Sequence, residues 1–355
     1  MLTRDFGRVS TKTFPDINLL HPTNTLSNEN PTEYPYIIVT ISDSNYVIPT
    51  YVLILSLLRH NVRAMVHLLG VGLTAEEKAL FTQFKQVRLF EADLSNTRNA
   101  ATRKAEAMLT AEAFPCETVS LFDADCIVTG DLTRYLAQAV PGWSARLKTP
   151  DEDAMVFRQR YEPGEPLGGI PRKMLEIWQR DVGERQEPAI KNTACSGNLT
   201  VHRRFLGFTR HWHAQMMKVL PNQNTRQAHD FNSFAYSQLD ESVMNSLLAF
   251  AHDAPPVSRG QFDKDPKACL IHLGPCNPRY WTFWRLDRLR YYQPVVELIE
   301  WAQHQDYRTP KLTWSLKRTW KPLVILVAYG YEGWVVVKRL AKKILKPTPK
   351  LKGRA

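Results

Sequence analysis

Two carboxylates lie one residue apart at the end of an apolar run in the sequence SLFDADCIVTGDL, residues 120–132. Like charges this close raise each other's pKa values unless a cation shares them. Asp123 and Asp125 could therefore hold a divalent metal ion, because carboxylate oxygens are its usual protein ligands. The alternative interpretation is a solvated turn between a strand and a helix, where aspartate is common.

The predicted elements around these carboxylates alternate between strand and helix. Apolar runs predict strands at 36–41, 64–70, 86–92 and 118–122. Helical patterns follow them at 49–61, 74–84, 101–114 and 131–140. This alternation predicts an α/β fold whose sheet is mixed, mostly parallel and flanked by helices. Ligands bind beyond the carboxyl ends of such strands, so Asp43 and Asn45 are expected to face the same crevice as the paired carboxylates.

The pattern is less regular after residue 142. The segment 151–171 is polar, contains Pro and Gly, and is predicted to be a long loop of the kind that often carries function. Beyond it, strands are predicted at 196–203 and 268–273, and helices near 203–219 and 241–251.

The positive charge of the chain is confined to its end. The 355 residues carry a formal net charge of +11. Residues 311–355 hold twelve Lys or Arg and one acidic residue, which leaves 34 basic and 34 acidic side chains in residues 1–310. A neutral body argues against a broad basic face for nucleic acid.

The N-terminal 34 residues are polar and contain no apolar segment of the kind that a signal peptide needs. The five cysteines are odd in number and form no CxxC pair, which argues against a disulfide framework or a zinc ribbon. A reducing cytoplasm fits this pattern. The sequon at Asn198 is then not expected to be glycosylated.

Four stretches occur in the order and rough spacing of a known family, over residues 35–285 or about two thirds of the chain. They are TISDSNY (40–46), LFDADCIV (121–128), SQLDESVMN (237–245) and IHLGPCNPRYW (271–281). Together they resemble glycosyltransferase family 8, the retaining GT-A enzymes that use nucleotide-sugar donors. The resemblance implies a GT-A (Rossmann-like) fold and a metal-dependent, retaining transfer of a sugar from a UDP-sugar to a saccharide or lipid-linked acceptor.

The resemblance implies a metal site of three residues. Asp123 and Asp125 would be ligands of Mn²⁺ or Mg²⁺, with Asp123 also facing the ribose, and His272 would be the third ligand. A divalent cation acts as a Lewis acid on the negative charge of the leaving diphosphate. Mn²⁺ accepts imidazole as well as carboxylate. The alternative for His272 is a hydrogen-bonded histidine of the core.

The resemblance also implies a nucleotide pocket. Asp43 and Asn45 would bind the base or ribose, and Tyr46 would stack on the uracil, unless the segment is only a polar turn. A basic residue at 103–104 would reach the diphosphate, unless the pair lies on a solvated helix face. The expected donor-binding residues are Thr40, Asp43, Asn45, Tyr46, Arg103, Lys104, Asp123, Asn245 and Arg279.

Asp240 and Glu241 are the expected catalytic residues, at a position where the family usually carries Asp-Gln. Asp240 would hydrogen-bond sugar hydroxyls. Glu241 would lie on the beta face of the anomeric carbon, where a carboxylate could stabilise an oxocarbenium-like centre, attack it, or act as a supporting acid. Retention by same-face attack, in which the leaving phosphate takes the acceptor proton, stays open.

Two departures from the family leave the donor sugar unassigned. The family motif HxxGxxKPW is one residue shorter here and lacks the Lys before the Pro, so Arg279 is expected to supply that phosphate charge. The family often has Asn-Ala-Gly where this chain has Cys195-Ser196-Gly197.

The tail mixes Lys and Arg with aromatic and aliphatic residues. Its apolar run, 322–337, has sixteen residues, whereas a membrane span needs roughly 20. The pattern predicts a segment bound to an anionic membrane surface, and hence a cytoplasmic protein peripheral on the inner face of the membrane. A packed C-terminal helix is the alternative. The predicted organisation is an arm at 1–34, a GT-A catalytic domain at 35–305 and a membrane-surface tail at 306–355.

Two other functions stay open from the sequence. The stretch FDADCIV superficially resembles the DxDx(T/V) nucleophile loop of haloacid-dehalogenase-like phosphatases. That loop normally follows the first strand, and its fifth position is Thr or Val where this chain has Ile127. The other function is a catalytically silent, membrane-attached nucleotide-binding module of the same fold, since the sugar-pocket motifs are altered.

Overall fold

A computed structural model gives the structure of the chain and describes residues 34–93, 99–137, 142–222, 232–259, 269–273 and 285–345. The chain divides into two compact units, Met1–His272 and Leu273–Ala355. All described strands belong to the first unit. The limits of the arm, the catalytic domain and the tail stay predictions.

Strands and helices alternate along much of the first unit, and the second unit is helical where it is described. The strands are β1 (Tyr36–Asp43), β2 (Ala64–Val71), β3 (Val87–Glu91), β4 (Thr118–Phe122), β5 (Cys126–Val128), β6 (Trp143–Leu147), β7 (Ala194–His202), β8 (Val257–Arg259) and β9 (Leu270–His272). The helices are α1 (Val47–Arg59), α2 (Ala75–Thr82), α3 (Lys104–Leu109), α4 (Thr133–Ala137), α5 (Pro150–Val156), α6 (Arg172–Val182), α7 (Phe208–Val219), α8 (Leu239–Phe250), α9 (Tyr292–His304) and α10 (Lys321–Leu345).

The first unit is built on a seven-stranded sheet in the order β3-β2-β1-β4-β7-β6-β8. The pairs β1–β2, β1–β4, β2–β3 and β6–β8 are parallel, and β7 is antiparallel to both of its neighbours. Helices α1 and α3 pack on β1, and α8 packs on β7. The predicted fold class, a mixed and mostly parallel sheet flanked by helices, is therefore confirmed.

The strand order predicts a binding crevice at the carboxyl ends of the central strands of this sheet. The chain winds outward from β1 to β2 and β3, and then returns to lay β4 on the other side of β1. The carboxyl ends of β1 and β4 therefore lie side by side where the winding direction changes, which is where ligands of such sheets bind. The central strands are rich in Val, Ile and Leu and are buried, as expected for a sheet covered on both faces.

A second sheet of two strands returns a distant part of the chain to this crevice. β5 begins just after the paired carboxylates and pairs with β9 in antiparallel register. Cys126 stands opposite His272 in that register. This pairing carries His272 to the carboxylates across about 150 residues of sequence.

The segment predicted to be a long loop contains a helix, so that prediction is wrong in part. Thr149 and Glu152 form a capping box around the start of α5, and Pro150 occupies its first turn. Asp153 of α5 is fully buried and accepts hydrogen bonds from the backbone N and Oγ1 of Thr193. Pro and Gly occur in the segment 151–171 only from Pro163 onward, after α5 has ended, so they do not argue against a helix at its start.

His67 is a buried, neutral histidine of β2. Its ring contacts the rings of Phe90 and Phe114 at 4.9 and 4.8 Å between centroids, and its Nδ1 lies 3.1 Å from Oγ1 of Thr110. Burial, with a smaller contribution from the charge of Arg88, lowers the pKa of His67 to about 3. In the unfolded chain a histidine has a pKa of about 6.5.

Acidification is therefore expected to destabilise the protein through His67. Between pH 6.5 and 3 the unfolded chain binds a proton that the folded chain excludes, so this stability is complete above pH 6.5 and is lost as the pH falls. The slope is at most about 1.4 kcal/mol per pH unit. Urea unfolding of His67→Gln between pH 7.5 and 4.5 should show a shallower pH dependence than the wild type. The exposed His304→Gln is the control, and parallel profiles for His67→Gln and wild type would contradict the prediction.

The second unit contains α9 and α10. α10 packs on the 3₁₀ turn Leu286–Tyr291, with Nε of Arg285 3.5 Å from Oε1 of Glu332. Among residues 321–341 of α10, Val324 and Ala328 are buried. None of the helices that the structure describes is long and apolar enough to cross a membrane.

Candidate active site

The paired carboxylates lie where β4 ends. The backbone N of Asp123 donates to the carbonyl of Gly197 in β7, and the N of Cys126 donates to the carbonyl of Asp123. The first bond continues the pairing of β4 with β7, and the second closes the turn between β4 and β5. The turn leaves the side chain of Asp123 partly exposed, whereas Asp125 is buried.

His272 completes a cluster with these carboxylates. Its Nε2 lies 3.2 Å from Oδ1 of Asp125 and 3.5 Å from Oδ2 of Asp123. One ligand atom from each of the three residues lies within 4.8 Å of the others. The structure therefore brings together the three residues that the sequence predicted as metal ligands.

The cluster fits a divalent cation. Nε2 of His272 is buried and has no hydrogen bond of acceptable geometry among the described residues, although two carboxylate oxygens face it. Two carboxylate oxygens and one imidazole nitrogen form a donor set that Mn²⁺ accepts. Asp123, Asp125 and His272 would hold such an ion when it is bound.

Gly197 allows β7 to approach the cluster. A Cβ atom at this position would lie 2.6 Å from Oδ2 of Asp123 and 2.9 Å from Cε1 of His272. Any larger residue would therefore displace the side chains of Asp123 and His272.

Lys104 links the carboxylates of β4 to those of α8. Its Nζ lies 2.9 Å from Oδ1 of Asp123 and 3.0 Å from Oδ2 of Asp240, and it donates to Oγ of Ser196 at 3.2 Å. Burial alone would lower the pKa of Lys104, but the charges of Asp123 and Asp240 raise it above its usual value. The ammonium group therefore stays charged between the two carboxylates.

Asp240 and Glu241 lie side by side in the first turn of α8, and every residue of this helix is buried. Oδ2 of Asp240 accepts a hydrogen bond from Oγ of Ser196 at 2.7 Å. Oε1 of Glu241 forms an ion pair with Lys148, and Oε2 accepts from the backbone N of Ser196 at 3.3 Å. Both carboxylates therefore have partners from β7.

Lys148 neutralises the buried charge of Glu241. The side chains of Lys148 and Glu241 are only 8% and 11% exposed. Burial lowers the pKa of Lys148, and the charge of Glu241 more than reverses that effect. Nearby, burial and then the charge of Glu241 raise the pKa of the Cys195 thiol to about 12, so the thiol stays protonated.

The two members of the basic pair have different surroundings. Arg103 is the last residue of a 3₁₀ turn, Ala100–Arg103, and Lys104 begins α3. The guanidinium of Arg103 donates to both carboxylate oxygens of Glu106 and to the carbonyl of Asp93. The structure thus places Lys104 in the carboxylate cluster, whereas these contacts of Arg103 hold the start of its own helix.

Asn245 braces α8 against β7. Its Oδ1 accepts from the backbone N of Ala194, and its Nδ2 donates to the carbonyls of Ala194 and Glu241. The side chain is fully buried. These contacts orient the turn of α8 that carries Glu241, and the predicted contact of Asn245 with a donor stays a prediction.

The residues expected to bind the nucleotide follow β1. Oδ1 of Asp43 accepts from the backbone N of Asn45 at 2.9 Å and of Tyr46 at 3.1 Å, which forms the turn into α1. Asn45 is exposed and Tyr46 is partly buried. Oγ1 of Thr40 is buried without a hydrogen-bond partner among the described residues. Their roles in binding stay predictions, and Arg279 lies outside the described residues.

Lys148 and Ser196 are site residues that the sequence did not single out for a role. Ser196 belongs to the Cys195-Ser196-Gly197 segment, which departs from the family pattern. Lys148 follows the short strand β6, and it meets Glu241 from 93 positions away in the sequence. The one signal for it was indirect, because a buried glutamate in place of a glutamine requires a cationic partner.

The chain is similar to known glycosyltransferases. It shares 16% identity with the bifunctional glycosyltransferase WbbM over 79% of this chain and 50% of that chain, with a TM-score of 0.49. It shares 13% with the galactosyltransferase LgtC, solved with donor and acceptor sugar analogs, over 81% and 99% of the two chains, with a TM-score of 0.46. It shares 15% with the glycosyltransferase GlyE of Streptococcus pneumoniae TIGR4, over 79% and 66%, with a TM-score of 0.44.

The chain thus spans half the length of WbbM and 66% of GlyE. No protein-family model and no curated protein sequence matches it. At these identities and TM-scores the similarity does not extend to activity, so the function is inferred from the residues of the site.

Proposed function

We propose that the chain is a metal-dependent glycosyltransferase that moves a sugar from a UDP-sugar to a saccharide or lipid-linked acceptor with retention. The observation that carries the proposal is the cluster of Asp123, Asp125 and His272 at the switch point of the sheet. Its buried imidazole nitrogen faces two carboxylate oxygens at 3.2 and 3.5 Å. A bound Mn²⁺ or Mg²⁺ would supply Lewis-acid stabilisation of the leaving diphosphate.

Lys104 and Asp240 are proposed to bind and orient the donor sugar. The charged ammonium of Lys104 lies between Asp123 and Asp240, so it fixes the distance between the end of β4 and the start of α8. Asp240 already has Lys104 and Ser196 as donors on one oxygen. Its other oxygen can accept from a sugar hydroxyl.

Glu241 is proposed to stabilise positive charge on the anomeric carbon. Its two oxygens are held by Lys148 and by the backbone N of Ser196, so the carboxylate is fixed in orientation. Fixed charges act best where charge develops in the transition state, because they need no reorganisation. The same contacts disfavour a nucleophilic role, since both oxygens would have to give up a partner.

Thermal unfolding with UDP, with Mn²⁺ and with both tests the donor site. A ligand at 100 times its Kd should stabilise the fold by about 2.7 kcal/mol, and we expect this stabilisation only when UDP and Mn²⁺ are present together.

Hydrolysis of UDP-sugars then tests turnover. UDP binding without turnover would indicate the silent binding module. Phosphatase activity that Asp123→Asn abolishes, without a response to UDP, would indicate the phosphatase. A folded protein that ignores every nucleotide would contradict the proposal.

Peripheral attachment to the inner face of the membrane is proposed for α10. The residues that pack inward are small, Val324 and Ala328, whereas large apolar side chains face solvent. Exposed apolar surface of this extent marks an interaction site. Basic residues at both ends of the helix would add attraction to anionic lipid. The exposed residues of α10 are Leu323, Ile325, Leu326, Tyr329, Trp334, Val336, Val337 and Leu340.

Leu326→Glu is expected to weaken binding to vesicles that contain anionic lipid by at least about tenfold. Burying one leucine is worth about 1.5–3 kcal/mol, and the variant loses that contribution. Sedimentation with vesicles measures the binding, which should also fall with added salt. Leu167→Glu is a matched control, because Leu167 and Leu326 are both 67% exposed. Equal binding of the two variants would contradict the membrane role of α10.

A further inference from the structure

A cavity of about 670 Å³ adjoins the candidate active site. The segment after β6 and the segment before β7 form two of its walls, and α8 and the residues before β8 form the others. Lys148 lines this cavity and also holds Glu241. The cavity is therefore one side chain away from a carboxylate of the proposed reaction centre.

The charged residues that line the cavity are all basic. They are Lys148, Arg185 and Lys191, and none of the described residues that line it is acidic. The charge of Lys148 is neutralised by Glu241, so Arg185 and Lys191 set the sign of the potential. Clefts lined by one sign of charge concentrate ligands of the opposite sign.

Both of these cations have unused hydrogen-bond donors. Arg185 donates from one NH2 group to the carbonyl of His252, and its other NH2 group makes no hydrogen bond with the described residues. The exposed Lys191 makes no ion pair or side-chain hydrogen bond within the part of the chain that the structure describes. A carboxylate or phosphate could accept from both groups, and such charge-assisted bonds are the strong ones.

The rest of the lining suits a sugar ring. Asn192 donates its Nδ2 to Asp153, which leaves its Oδ1 able to accept from a hydroxyl. Ile190 and Leu248 supply apolar surface, as do Pro255 and Pro256. A volume of this size lies within the range of small-ligand sites, and a few polar groups on an apolar lining give such sites their specificity.

We propose that this cavity binds a saccharide that carries a carboxylate or phosphate group, and that this saccharide is the acceptor of the transfer. The identification as acceptor rests on the proposed glycosyltransferase function, whereas the binding of an anionic saccharide does not. Arg185 and Lys191 hold the anionic group, and the sugar hydroxyls face Asn192 and the site beyond Lys148.

Ligand-observed NMR titrations of the full chain test the binding. The probes are glucuronate and glucose 6-phosphate, with glucose as the neutral control and inorganic phosphate as the free anion. We expect both acidic sugars to bind more tightly than glucose and phosphate. Arg185→Gln and Lys191→Gln should raise the Kd of the acidic sugars by about tenfold, as expected for loss of a hydrogen bond to a charged group. The exposed Arg158→Gln and Lys311→Gln are matched controls that should leave the Kd unchanged.

The NMR titrations and the thermal unfolding with UDP and Mn²⁺ distinguish failure of the cavity site from failure of the donor site. Equal Kd values for the acidic sugars in the cavity variants and in their controls would contradict binding at the cavity. Glucose that binds as tightly as the acidic sugars would also contradict it, and so would inorganic phosphate that binds as tightly as glucose 6-phosphate. The stabilisation by UDP and Mn²⁺ should be the same in all four variants. If UDP and Mn²⁺ stabilise the protein and acidic sugars do not bind, the cavity site is wrong and the donor site is supported. If UDP and Mn²⁺ do not stabilise the protein but acidic sugars bind at the cavity, both the donor site and the acceptor role of the cavity are wrong.

Discussion

Asp125→Asn is expected to abolish the joint stabilisation by UDP and Mn²⁺ and to lower sugar transfer by a factor of about 10³. Asp125 is buried and its Oδ1 faces Nε2 of His272, so the substitution removes an anionic ligand from the cluster. Lewis-acid stabilisation is worth several kcal/mol, and a factor of 10³ corresponds to about 4 kcal/mol. Thermal unfolding and UDP-sugar hydrolysis measure the two effects.

Asp306→Asn is the control for this substitution. Asp306 is exposed and has a positive φ of 56°, a backbone conformation that asparagine adopts readily. It should therefore fold, bind UDP with Mn²⁺ and turn over as the wild type does. If Asp125→Asn keeps its Mn²⁺-dependent response to UDP, the cluster does not hold the metal. The site of nucleotide binding would then have to be sought elsewhere.

The local features of this fold could be predicted from the sequence. Runs of Val, Ile and Leu mark β1, β2 and β4, because strands buried on both faces need apolar side chains throughout. The capping box at Thr74 and Glu77 marks the start of α2 and is present in the structure. Signals of this kind depend on neighbouring residues only.

Features that depend on distant contacts could not be predicted in the same way. β7 is antiparallel between β4 and β6, and nothing in its own sequence fixes that direction. The position of His272 beside the carboxylates was expected from a family motif, and its physical cause is the β5–β9 pairing. Arg103 and Lys104 could not be told apart, because adjacent helical residues point in different directions and the sequence does not show which one faces Asp123.

Substitutions of Glu241 and Lys148 are expected to have non-additive effects on the free energy of unfolding. Lys148→Met alone leaves a buried carboxylate without its partner, and Glu241→Gln alone leaves a buried ammonium. Loss of one member of a buried ion pair typically costs about 3–5 kcal/mol, whereas replacement of both members is often close to neutral. The double variant should therefore be more stable than either single variant. Urea unfolding of the four proteins measures this coupling.

Turnover of the same four proteins decides what the carboxylate contributes beyond this pairing. If Glu241 stabilises positive charge on the anomeric carbon, the double variant regains stability and its transfer rate stays at the level of Glu241→Gln. We expect this outcome, because Ser196 and Lys148 hold both oxygens of Glu241 in a fixed orientation. Recovery of transfer in the double variant would instead mean that the charge of Glu241 serves only to neutralise Lys148. Additive losses of stability would contradict the ion pair itself.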